Sequence, residues 1–164
     1  MNKLFLSLTA LLFCLLIPRA AGAKEKAEDA LFNNYTIASI GTSATDGCYL
    51  VCVDVTTKNP KLSDADAARC AVHGVLFRGF AGENRHFEKP LAGKASVETQ
   101  NSEYFKKFFE TQALSYADVL PASRSVTKLD KKKYVVSVSV EVRKDQLRHA
   151  LQDAGVIRGL NSAF

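Results

Sequence analysis

The stretch Lys133–Val142, "KYVVSVSVEV", constrains the fold more than any other. Val136, Val138, Val140 and Val142 alternate with Ser137, Ser139 and Glu141. Successive strand residues point to opposite faces, so this pattern demands a sheet that is buried on one side and wet on the other. The preceding "RSVTKL" is separated from it by Asp130 and a run of lysines, the arrangement of a hairpin. Lys131, Lys132 and Lys133 at its tip read as solvation and as protection of an edge strand.

Upstream, "YTIASIG" and "CYLVCVDVTT" are rich in β-branched and aromatic residues and flank the turn sequence "GTSATDG", which predicts a second hairpin. Ser63, followed by Asp64 and Asp66, supplies an N-cap and first-turn acids for a helix. That helix carries Ala67, Ala68, Ala71, Val72, Val75 and Leu76 on one apolar stripe and ends at Gly79. A polar connection, "AGENRHFEKPLAGKASVETQ", leads to a helix from Ser102 to about Leu114, whose Tyr104, Phe105, Phe108 and Phe109 face the core. A last helix places Leu147, Ala150, Leu151 and Ala154 on one face and stops at Gly155, with Val156 positioned for a Schellman end. The expected fold is α+β: a two-layer sandwich whose mainly antiparallel sheet of about four strands has helices packed on one face.

The N-terminus reads as an export signal. Lys3 is followed by an apolar run, Leu4–Ile17, and by the small residues Ala21-Gly22-Ala23, which predicts cleavage near Ala23. The run is shorter than the roughly 20 residues a spanning helix needs. Cys14 lies inside it without the small neighbours of a lipid-attachment site. The expected organisation is a signal peptide at 1–23, a leader at 24–34 and a single domain at 35–164, in a periplasmic or secreted protein with no transmembrane segment in its mature chain. Loss of Lys3 and Arg19 with the signal lowers 22 basic residues to 20 against 17 acidic ones, a net charge of +3. That is too mild to argue for nucleic acid.

Export permits disulfides, but the mature chain holds three cysteines, Cys48, Cys52 and Cys70. Four residues of strand separate Cys48 from Cys52 by roughly 13 Å, too far to bond. Any intramolecular disulfide would therefore involve Cys70, and otherwise all three act as small buried hydrophobes.

Polar side chains with chemical potential concentrate in "CAVHGVLFRGF": Cys70, His73 and Arg78 are the candidate ligand-binding residues. Cys70 and His73 at i, i+3 offer two metal ligands, short of the four a structural zinc site takes, and neither His86 nor His149 is spaced to complete them. The simpler reading is a core helix with a structural histidine. No phosphate-binding glycine loop, HExxH or nucleophile elbow occurs, so no catalytic residue, metal or cofactor is assigned, and an enzyme is the least supported class.

"CAVHGVLFRGF", "SEYFKKFF", "KYVVSVSVEV" and "LRHALQDAGVIRGLNSAF", in this order, resemble a group of small exported bacterial proteins of unknown function, from about Asp46 to the C-terminus. In pattern alone the chain is also similar to α+β domains of bacterial envelope lipoproteins and periplasmic flagellar-assembly proteins. The resemblance implies a bacterial envelope setting and carries over no catalytic residue. The expected function is a non-catalytic interaction or assembly module, with an envelope protein partner or self-association through the wet sheet face or an edge strand. The alternative is a small-ligand or metal binder with a pocket between helix and sheet.

Overall fold

The structure is a computed structural model and describes residues 31–82, 86–94 and 96–157. The expected signal peptide and the end of the C-terminal tail lie outside the described residues. In chain order the elements are β1 (Tyr35–Gly41), β2 (Tyr49–Thr57), α1 (Asp64–His73), β3 (Phe80–Ala81), β4 (Phe87–Glu88), α2 (Ser96–Gln100), α3 (Ser102–Thr111), β5 (Ala117–Val119), β6 (Ser125–Asp130), β7 (Lys133–Val142) and α4 (Lys144–Asp153). The fold is α+β.

The valine-alternating segment is β7, and it lies in the middle of the sheet. β2 runs antiparallel along one edge of it, with Val51, Val53 and Val55 opposite Val140, Val138 and Val136. Its other edge is shared end to end: β5 pairs with Val140–Val142 and β6 with the opposite half, from Lys133 to Ser137. All of these valines are at most 1% exposed, whereas Ser137 and Ser139 are half-buried. The one-sided sheet required by the alternation is therefore present. Burying each valine contributes about 1.5–3 kcal/mol relative to leaving it in water. The buried residues of α1, α3 and α4 join the same core cluster as the inward valines.

Two expectations need correction. The sheet has seven strands rather than about four, and it is mixed: β1 and β3 pair in parallel. β3 runs the same way as β1 because β2 has reversed the chain between them: α1 joins two mutually antiparallel strands, β2 and β3, that lie on either side of β1. The supposed polar connection after Gly82 contains β4 and α2, with β3 just before it. β3, β4 and β5 are two or three residues long, too short to show a period of two.

Local signals explain the helix boundaries. Ser63 Oγ accepts from Asp66 N at 3.0 Å, capping α1. After His73 the helix widens into a π turn, Gly74–Arg78, and stops at Gly79, whose φ of 66° favours glycine. Carbonyls in such a last turn lack partners within the helix. Here Val75 O and Leu76 O accept from Leu91 N and Ala92 N at 3.0 and 2.9 Å, which fastens the following segment to α1. At the end of α4, Gly155 N donates to Gln152 O and Val156 N to Leu151 O, each at 2.9 Å, the bond pair of a Schellman end. Ahead of β1, Leu31 and Phe32 are half-buried against the core.

Candidate functional site

His73 ends α1 and is 6% exposed. Its Nδ1 lies 2.7 Å from the hydroxyl of Tyr35, the first residue of β1. Its Nε2 lies 3.1 Å from Glu98 Oε1 on α2. All of these atoms are satisfied when the Tyr35 hydroxyl donates to Nδ1 and the Nε2–H donates to the carboxylate. Rings enclose the imidazole: Phe32 stacks on it at 4.3 Å, and Phe77 meets it edge-on at 5.2 Å.

Arg78 closes the cluster from outside. Its guanidinium lies 4.2 Å above the Tyr35 ring, and its Nη1 donates to Tyr35 O at 2.8 Å while Nη2 donates to Phe32 O. Burial pushes the Tyr35 hydroxyl pKa well above its ordinary value of 10.0, the nearby Arg78 charge opposing the shift. Cys70, one turn before His73, is fully buried, and that burial pushes its thiol up to about 12. A thiol so placed is a poor nucleophile.

The three residues singled out from sequence thus lie in one neighbourhood, with His73 and Arg78 meeting at Tyr35. Sequence reasoning missed Tyr35 itself, Glu98 and Phe32. The only local signal was an aromatic residue opening a strand; nothing marked Glu98, on a segment read as loop. Tyr35 is 4% exposed, so its hydroxyl is closed to a substrate, and the guanidinium is engaged with backbone carbonyls. The constellation is a hydrogen-bonded strut joining β1, α1 and α2. Among the described residues no group of three or more His, Cys, Asp or Glu side chains is arranged to hold a metal ion. The three described cysteines are free thiols.

The opposite sheet face is different. Thr36, Asp54 and Ser137 form one cross-strand row, and Ala38, Cys52 and Ser139 the next. All six are half-buried or exposed, and their short side chains make the surface flat. The Cys52 thiol lies 3.6 Å from Asp54 Oδ1, and burial followed by that carboxylate raises its pKa.

Compared with known proteins, the chain matches no family model, no curated protein and no solved structure.

Proposed function

We infer that this is an exported bacterial envelope domain that acts without catalysis, binding a protein partner through the wet face of its sheet. The observation that carries the reading is the contrast between the two faces. On the inner face, the polar groups with chemical potential are turned to one another and to the backbone. On the outer face, β1, β2 and β7 offer cross-strand rows of small, mostly polar residues that are half-buried or exposed. A flat surface of short side chains lets another sheet or a helix approach closely, with the Ser137 and Ser139 hydroxyls free to orient it. Export is supported by the order of charged start, apolar run and small residues in 1–23. No helix of the described residues is long and apolar enough to cross a membrane.

Photo-crosslinking separates this reading from its rival. A crosslinking residue at Ser137 should give a discrete adduct in an envelope fraction, and one at Glu110, exposed on α3, should not. No adduct at Ser137, or the same adduct from both positions, overturns the sheet-face reading. Native mass spectrometry of the purified protein completes the test, since a retained small mass would favour a ligand binder instead.

A further inference from the structure

The end of the sheet at the β6–β7 turn carries a charge pattern that the sheet-face reading does not use. Lys128, Lys131, Lys132 and Lys133 lie on this hairpin, and all are exposed. Thr57 pairs with Tyr134, so the chain leaving β2 begins at the same end and adds the exposed Lys58 and Lys61. Arg124 holds that loop against the start of β6, through Leu62 O at 2.7 Å and through Asp64. None of the six ammonium groups has an ion-pair partner among the described residues. The acids nearby are occupied: Asp64 pairs with Arg124 and Asp66 with Arg69, while Asp130 accepts from Lys131 N at 2.6 Å.

Exposed apolar side chains share this hairpin with the lysines. β6 is exposed along its whole length, and its Val126 and Leu129 are 47% and 55% exposed, in a protein whose other valines are mostly core. Edge protection accounts for the lysines and leaves the exposed leucine unexplained. Lysines on the same hairpin as an exposed leucine offer what an anionic bilayer recognises: ammonium groups meet phosphate headgroups, and a leucine enters the headgroup–acyl boundary.

We propose that the lysine-rich end of the sheet, with Leu129 at its tip, docks on an anionic phospholipid bilayer surface. The surface differs from the sheet face, so the two readings stand or fall separately.

The chain contains no tryptophan, so Leu129→Trp places a single reporter on the hairpin of the full-length protein. Phosphatidylglycerol–phosphatidylcholine vesicles at low salt should shift its emission to the blue. Added salt should reverse the shift, and phosphatidylcholine alone should not produce it. Leu114→Trp, a 43% exposed position in the turn after α3, should stay unshifted. Combining Leu129→Trp with Lys131→Glu, Lys132→Glu and Lys133→Glu should weaken partitioning by at least about a hundred-fold. If that variant does not melt cooperatively, the corresponding Gln variants take its place, with a smaller loss expected. The proposal is overturned by no shift with anionic vesicles, by equal shifts with both lipids or at both tryptophan positions, or by lysine variants that titrate like the parent. A shift with a DNA oligonucleotide and none with vesicles overturns it too, in favour of nucleic acid.

Discussion

The Tyr35 hydroxyl and His73 Nδ1 lie 2.7 Å apart and 38 residues apart in sequence, in a site closed to solvent. This bond ties the first strand to the end of the central helix, and the His73–Glu98 contact extends the tie to α2. Because the pair is buried, neither partner can turn to water if the other is removed. That asymmetry makes the bond a sensitive probe of whether the cluster is structural.

Tyr35→Phe should destabilise the protein by about 1–3 kcal/mol, the cost of leaving a buried imidazole nitrogen unpaired. His73→Leu should cost a similar amount, since it strands the tyrosine hydroxyl. The double variant should lose less than the sum, with a coupling energy of about 0.5–3 kcal/mol. Urea titration of the four proteins measures it, and additive losses would contradict the bond. His73→Gln keeps a donor and an acceptor but gives up the stack on Phe32, so it should fold with reduced stability.

What was legible in the sequence was whatever repeats locally. The valine alternation gave β7 its face, the alanine–valine stripe gave α1 its buried side, and Ser63 and Gly155 marked ends that the backbone uses as caps. β3, β4 and α2 were hidden because each is shorter than the window in which a period can be seen. The partner of β3 lies far back along the chain, Ala81 pairing with Ala38 of β1. The site was half legible for the same reason. His73 and Arg78 stand out as polar residues in an apolar run, but Tyr35 and Glu98 reach them across 38 and 25 residues. Arg78 bonds to carbonyls, which every residue has, so no sequence pattern announces its partners.

Three glycines should respond differently to alanine. At Gly155, with φ of 69° and nothing within 4 Å of an added Cβ, the cost should be the left-handed penalty alone, about 1–2 kcal/mol. At Gly79 the same penalty is joined by a clash with Glu88 O of β4, so the loss should be larger. Gly74 is helical, but its Cβ would meet Ile37 Cδ1 at 2.9 Å, so overpacking should cost about 1–3 kcal/mol. Ile37→Val removes that carbon and should partly rescue Gly74→Ala. Denaturant midpoints for the series check the order, and a Gly79 variant as stable as the Gly155 variant would contradict the β4 contact.

Two valine-to-aspartate changes test the location of the core. Val75→Asp places an unpaired charge at a side chain 1% exposed, and should abolish cooperative folding against a total stability of about 5–15 kcal/mol. Val126→Asp, on the exposed edge strand, should leave the melting transition almost unchanged. Circular dichroism melts read both, and a folded Val75→Asp protein would show that α1 is not pressed against the sheet as described.

Alkaline pH should weaken the fold, with Cys70 as a leading contributor. Burial raises its thiol from an ordinary 9.0 to about 12, so the unfolded chain releases this proton while the folded chain still holds it. Above pH 9 the unfolded state therefore binds fewer protons, and stability falls as pH rises, by up to about 4 kcal/mol by pH 12. Below pH 9 the contribution is fully present. Tyr49, whose hydroxyl donates to Glu88 and is raised to about 12 chiefly by burial, acts in the same direction from its ordinary 10.0. Tyr35 does so as well. Cys70→Ala removes the thiol's share, so its denaturant midpoint should fall less between about pH 8 and about pH 10.5 than that of the parent. Parallel pH profiles for the two proteins would mean that the Cys70 thiol reaches solvent and that α1 does not seal this part of the core.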